Sequence, residues 1–375
     1  MSEPPTQKCS LIEVFTAVAT DPTSASWDVV ECAHHTWTYR QLDIISTGLA
    51  IDLHNAYGPR PTVAFLSENH PYMLALMLAT WKLGGIIAPY DPHAPEPLLK
   101  GMMEKVSPAC IVTPSTNTVG RKIAQGRKIY LLISFELADV FLEDLGIPSY
   151  AFEIDEVTMP ALWERFANLP AEEQADLLPP ARKDDIAIYI FTSGASSVDN
   201  LKPVPLSQES IYYGSVGTLS WLKKTYPAQD FSRLRALGWA PWTFLLAFNC
   251  DLGAFAFLSG GCYVFALIPT TYAAVGEQTV TTGYSGLADR LLPAVLEKKI
   301  STFSTVPLIL EGFMAIYNSD DGRREKIRDA LRNMKAYMCG GAKTSPEAIE
   351  WAIEIGLPLN LGIGMTELGR KYSVI

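Results

Sequence analysis

Short apolar runs alternate with amphipathic stretches along much of the chain. Thr62–Leu66 (TVAFL) is apolar after its first residue and predicts a buried strand. Residues 72–82 predict a helix that stops at Gly84-Gly85, and residues 86–89 a second strand. Glu96–Val106 predicts another helix and residues 109–112 a third strand. Strands separated by single helices build a parallel sheet with crossover helices. The rhythm fades between about Gly120 and Pro180, where loops and short helices are expected. Pro179-Pro180, followed by Arg182-Lys183-Asp184-Asp185, marks a joint between a first α/β part (1–183) and a second (184–375). Ile186–Phe191 (IAIYIF) then reads as a continuous apolar strand. Helices are predicted at 244–258, 285–298, 319–332 and 346–356. Strands are predicted at 262–268, 302–304, 336–339 and 358–361. The pattern has no internal repeat.

Composition narrows the class. With 375 residues and 48% hydrophobic positions, the chain can bury a large core or two fused ones. The formal net charge is −10, and no basic block occurs, which argues against a nucleic-acid surface. Six cysteines (Cys9, Cys32, Cys110, Cys250, Cys262, Cys339) show no CxxC spacing, so neither a zinc site nor a disulfide framework is indicated. They read as reduced, buried thiols of a cytoplasmic protein. The N-terminus has no basic segment ahead of its short apolar run and is no signal peptide. The one membrane-like stretch, 244–268, is interrupted by Asn249, Asp251 and Gly260-Gly261. A buried helix, a glycine turn and a buried strand fit it better than a membrane span.

The candidate chemistry begins where Ile186–Phe191 runs into Thr192-Ser193-Gly194-Ala195-Ser196-Ser197, with Lys202 five residues further on. Small and hydroxyl residues let backbone N–H groups approach phosphates, and a lysine adds charge. No GxxxxGK[ST] loop is present. Taken alone, the segment is equally an ordinary polar turn between strand and helix.

TSGASSVDNLKPVPLS resembles the phosphate-loop motif of adenylate-forming enzymes, the AMP-dependent synthetase/ligase superfamily of acyl-CoA synthetases, luciferases and peptide-synthetase adenylation domains. Four further segments resemble the same family in the same order: WTYRQL (37–42), WKLGGIIAPYDP (81–92), CGGAKTSPE (339–347) and NLGIGMTE (360–367). Five in order over about 330 residues make a specific combined signal. The KPVPLS form and the N-terminal pattern look most like fungal synthetase-like reductases.

This resemblance implies an α/β fold of two sheets flanked by helices in layers. It also implies activation of a carboxylic acid by ATP to an acyl-adenylate. Thr192, Ser193, Gly194, Ser196 and Lys202 would meet the phosphates of ATP, and Gly340, Gly341 and Ala342 would form a backbone shelf for adenine. Gly362, Gly364 and Met365 would complete the nucleotide site. Thr366 would contact the α-phosphate of ATP or AMP, and Glu367 would hold Mg²⁺. Trp242, Thr243 and Leu308 would line the acyl pocket. Trp242 is otherwise a core aromatic, Glu367 a solvated loop carboxylate, and Gly340-Gly341 a plain turn. A carrier protein or CoA would be the acyl acceptor in an intact relative.

Several positions depart from the family pattern. Ser197 replaces its second glycine, and Val198–Leu201 displaces the proline–lysine pair, with Asp199 bringing negative charge toward phosphate. Trp242-Thr243 replaces a Phe-His pair, and Ile363 a tyrosine that stacks on adenine. After its GxTE motif the family continues with a β-barrel subdomain and a small domain carrying a lysine, so impaired catalysis is expected of this chain. A non-catalytic protein that keeps the fold is the alternative. A dinucleotide loop at Gly362-Ile363-Gly364 is excluded by its spacing, and a serine hydrolase by the lack of GxSxG.

Overall fold

A computed structural model describes residues 10–32, 36–67, 69–92, 94–114, 129–132, 150–152, 158–191, 202–266, 286–319, 322–366 and 369–372. In chain order the strands are β1 (Asp28–Glu31), β2 (Thr36–Thr38), β3 (Thr62–Leu66), β4 (Ile86–Tyr90), β5 (Cys110–Pro114), β6 (Ile129–Leu132), β7 (Tyr150–Phe152), β8 (Ile186–Phe191), β9 (Pro203–Ser207), β10 (Arg235–Gly238), β11 (Cys262–Phe265), β12 (Thr302–Thr305), β13 (Ala336–Gly340), β14 (Leu359–Met365) and β15 (Gly369–Tyr372). They form two sheets, in two compact units. One unit comprises Met1–Asp21 and Tyr39–Ile211, the other Pro22–Thr38 and Tyr212–Ile375.

The first unit holds the sheet β7-β6-β5-β3-β4-β8-β9, parallel except for the antiparallel β8–β9 pair. Its first helix, α1 (Leu11–Thr20), starts with a capping box. Glu13 N donates to Ser10 Oγ and Ser10 N to the Glu13 carboxylate, satisfying two otherwise open N–H groups. It is followed by α2 (Tyr39–Tyr57) and α3 (Pro71–Lys82), which is buried along its whole length. Even Lys82 is enclosed, and its ammonium is satisfied within the unit. It pairs with Asp43 Oδ1 at 2.7 Å, and donates to the Asp43 carbonyl at 3.0 Å and Thr47 Oγ1 at 2.6 Å. A lysine can be buried on these terms only because every donor has a partner. Trp81 Nε1 donates to the Ala187 carbonyl at 2.9 Å, tying α3 to β8. That bond, and the Ile87–Ile188 register of β4 and β8, place Ile186–Phe191 in the first unit. The units therefore divide at 211/212, where the sequence pattern suggested 183/184, and residues 22–38 belong to the second.

The second unit holds the sheet β15-β14-β13-β12-β10-β11-β1-β2. Its six inner strands are parallel, and an antiparallel strand closes each end. Both faces are covered. On one, Phe303 and Tyr337 pack with residues of helices at 287–297, 307–318, 324–332 and 346–354. On the other, Ala236, Ala336 and Met338 meet the helix at Gln208–Thr225 and a π-helix at Ala247–Phe257. This is the layered α/β architecture that the sequence implied.

Element types agree better than element ends. The helix expected at 244–258 is mostly π-helical, with Leu258 N donating to the Gly253 carbonyl, five residues back, at 2.9 Å. All eleven of its residues are buried, so no amphipathic period was there to read. The helix expected at 319–332 is Arg324–Arg332. It is preceded by a separate helix, Pro307–Asn318, begun by a proline at its first position. Among the described residues no helix is long and apolar enough to cross a membrane. The five described cysteines are buried, and no disulfide joins them to one another.

The short β1–β2 excursion is held to the second unit by Glu31, whose carboxylate meets Arg235 Nη2 at 2.6 Å and Lys298 Nζ at 3.1 Å. Burial acts to raise the pKa of Glu31, but its bonds to Arg235 and Lys298 outweigh this and hold it below its ordinary 4.5. A depressed carboxylate contributes stability that is present above its unfolded pKa and is lost as pH falls through the folded value. Glu31→Gln is therefore expected to melt below the native chain at about pH 6, with the gap closing as pH approaches about 3. Melting temperatures of both chains across that range check this.

Candidate functional site

The carboxyl ends of the parallel strands in an open α/β sheet are where ligands bind, because crossover connections leave a crevice there. In the second unit this edge carries most of the described positions singled out in the sequence. At its centre Gly340, the last residue of β13, sits opposite Gly362 of β14. A Cβ on Gly340 would lie 2.7 Å from the Gly362 carbonyl oxygen, so no other residue fits without moving backbone. Gly341 follows at φ +87°, a left-handed conformation that glycine adopts without strain, and its main chain is exposed. Its missing Cβ would face Val306 Cγ1 at 3.7 Å, in the turn after β12. Ala342 is exposed beside it. The result is a side-chain-free stretch of peptide planes that a flat ring can approach closely.

β14 is fixed beneath this edge by Asn360, which is fully buried. Its Oδ1 accepts from Tyr226 Oη at 2.9 Å, and its Nδ2 donates to the Pro358 carbonyl at 2.9 Å. Beyond Gly362 the strand continues through Gly364 and Met365, paired with β15, to a half-buried Thr366.

The other flank is aromatic. Trp242 follows β10 by four residues and is 4% exposed. Its Nε1 donates to Tyr263 Oη at 3.2 Å, and its ring meets Phe265 edge-on at 5.9 Å. Gly238, which ends β10, makes room for this cluster: a Cβ there would lie 2.0 Å from the Tyr263 ring. Trp242 is thus packed into this aromatic cluster, just past the end of β10. Thr243 is half-buried, while Leu308 (42%) and Phe244 (50%) are exposed.

Lys202 is exposed in the first unit, immediately before β9. Thr192, Ser193, Gly194 and Ser196 lie outside the described residues. The stems of their loop, Phe191 and Pro203, face each other in the β8–β9 register. The loop therefore joins two antiparallel strands, and the helix at Gln208–Thr225 follows only after β9, where Ser207 Oγ accepts from Ser210 N at 3.1 Å. Glu367 also lies outside the described residues. Among the described residues no cluster of three His, Cys, Asp or Glu gathers.

The thiol nearest the edge, Cys339, is no nucleophile at neutral pH. Burial pushes its pKa up to about 11, against a smaller opposing effect of Thr344, whose Oγ1 lies 3.7 Å from the sulfur. The described edge offers binding surface and hydrogen-bonding main chain, and no group poised for proton transfer. Reading by sequence missed Val306, Asn360 and the Gly238–Tyr263 contact. Asn360 was visible only as the first letter of a motif, and the other two depend on strand register.

Residues 18–370 match the family model of the AMP-binding enzymes. The chain is 38% identical over 368 residues to hispidin synthase of Neonothopanus nambi, covering 96% of this chain and 20% of that protein. It is 26% identical over 243 residues to the NRPS-like oxidoreductase fscA of Fusarium equiseti, covering 64% of this chain and 20% of that one. The chain thus spans about a fifth of the length of these curated relatives. Among solved structures, the luciferase-like enzyme of the mealworm Zophobas morio superposes with a TM-score of 0.68 at 16% identity, covering 98% of this chain and 75% of that one. The N-terminal subdomain of Klebsiella oxytoca NpsA, in complex with 3-hydroxyanthranilyl-AMSN, gives 0.63 at 16% identity, with 96% and 73% covered.

Gly340→Ala is expected to destabilise the chain by about 1–3 kcal/mol, because backbone must shift to admit the methyl group. Gly341→Ala should cost about 1 kcal/mol through strain alone. Urea denaturation of both variants, with the exposed Ile353→Ala as reference, checks the order.

Proposed function

Because the chain belongs to the AMP-binding enzyme family, we propose that it binds ATP at the Gly340–Gly341 edge and activates a carboxylic acid as its adenylate. The observation that carries this reading is the glycine pair. One glycine is locked against a neighbouring carbonyl and the next is left-handed and exposed, so bare main chain is presented where a nucleobase needs close approach. Adenine would lie along Gly340, Gly341 and Ala342, and Gly362, Gly364 and Met365 would border it. Thr366, at the end of β14, would donate its hydroxyl toward the α-phosphate. Lys202, Thr192, Ser193, Gly194 and Ser196 would hold the outer phosphates, and Glu367 a Mg²⁺ ion, which supplies charge neutralisation on the phosphates when bound.

The chemistry asked of these residues is placement and charge stabilisation. The acid's carboxylate oxygen attacks the α-phosphorus, the bond to the β-phosphate oxygen breaks, and pyrophosphate leaves. No protein nucleophile is needed, which suits an edge whose thiol stays protonated. Trp242, Thr243 and Leu308 would bound the acid's hydrocarbon part. Similarity to much longer relatives, one of them an NRPS-like oxidoreductase, supports a carrier-bound thiol as acyl acceptor, with CoA as the other candidate.

Acid-dependent exchange of labelled pyrophosphate into ATP tests the proposal. Turnover with at least one carboxylic acid is expected, and Lys202→Ala and Thr366→Ala should each reduce it about 10-fold or more. Ile353→Ala should leave it unchanged. Equal rates in all three variants would contradict the assigned site.

A further inference from the structure

Ser304, on an inner strand, is fully buried, and its hydroxyl has no hydrogen-bond partner among the described residues. Buried hydroxyls are nearly always bonded, and an apolar residue would fill this position at no such cost. Its place in the fold gives the exception a direction. Ser304 lies opposite Met338 in the β12–β13 register, and Thr302 pairs with both Ala236 and Ala336. Alternate strand residues share a face, so Ser304 stands on the face of Ala236, Gly238 and Met338. That face is the one covered by the π-helix, and Ser304 is the next-to-last residue of β12, at the carboxyl edge of the sheet.

The neighbourhood is aromatic. Gly238 and Ser304 are each the next residue after the Leu237–Phe303 pair of β10 and β12, and the Tyr263 ring lies against the bare Cα of Gly238. Tyr263 is held in turn by Trp242 Nε1, and Phe265 closes the cluster at 4.7 Å from the Tyr263 ring. The strand end itself is fixed, since Trp239 Nε1 donates to the Ser304 carbonyl. A rigid aromatic wall with one unsatisfied hydroxyl beside it matches a planar ring bearing one polar substituent.

We propose that Ser304 is a specificity-determining residue that hydrogen-bonds a ring hydroxyl of an aryl carboxylic acid, making hydroxyaryl acids the preferred substrates. The inference rests on the acid-activation reading above and adds to it the class of acid and the residue that selects it. The unpaired hydroxyl is then a polar group held in reserve: it destabilises the free protein and is satisfied on binding.

The test uses benzoic and cinnamic acids in pairs, each with and without a hydroxyl at ring position three or four. Pyrophosphate exchange and, separately, calorimetric affinity in the presence of ATP are measured. The native chain should favour one hydroxylated member over its parent by about tenfold or more in kcat/KM and in affinity. Ser304→Ala should bring that ratio close to one by losing the hydroxylated acid while keeping its parent, and Ser304→Thr should retain the preference. Without ligand, Ser304→Ala should melt at or above the native temperature, which shows that the loss is not one of folding. A preference that survives Ser304→Ala, or a native chain that treats both members of every pair alike, overturns the proposal. If no acid supports exchange, the affinity ratio alone decides the role of Ser304, and the failure counts against acid activation. Absence of binding by every acid overturns both.

Discussion

One close approach between two backbones shapes the edge of the second unit. Gly340 and Gly362 face each other across β13 and β14, with the carbonyl of one occupying the space a side chain of the other would need. Anything larger than hydrogen displaces backbone there, and the chain turns left-handed at Gly341 as it leaves the sheet. From that single approach follow the exposure of the main chain at Gly341 and Ala342 and the line along which β14 delivers Thr366. A binding edge of peptide planes is rigid because it has no rotamers to freeze, and it depends on the pairing of two strands.

That pairing is maintained from both faces of the sheet. Phe303 and Tyr337 anchor β12 and β13 into one set of helices, while Met338 and Asn360 hold β13 and β14 against the other. Groups at the edge itself sacrifice stability. Glycines lose conformational entropy on folding, and Ser304 carries an unsatisfied hydroxyl. Such departures from good packing are expected where a surface is shaped for a ligand.

The strands were legible because residues buried on both faces leave uninterrupted apolar runs, as in TVAFL and IAIYIF. The helix at 39–57 left no such trace, because Asp43, Ser46, Thr47 and Gly48 occupy buried positions and blur its apolar stripe. Asp43 and Thr47 are there to receive Lys82, a tertiary reason that no local window contains. At the site, the glycine pair could be read as a motif, since its function is local backbone geometry. The Trp242–Tyr263 bond, the Gly238 gap and the isolation of Ser304 could not, because each depends on which strands lie side by side.

Calorimetric titration of the chain with ATP and Mg²⁺, compared with a Gly341→Val variant, bears most directly on the central assignment. A side chain at Gly341 would stand on the exposed main chain and strain a left-handed residue. Saturable binding near one equivalent that is lost in the variant, with the variant still folded, is the predicted result. Binding of equal strength in both chains would place the nucleotide elsewhere, and a folded native chain that takes up no ATP would contradict the assignment outright.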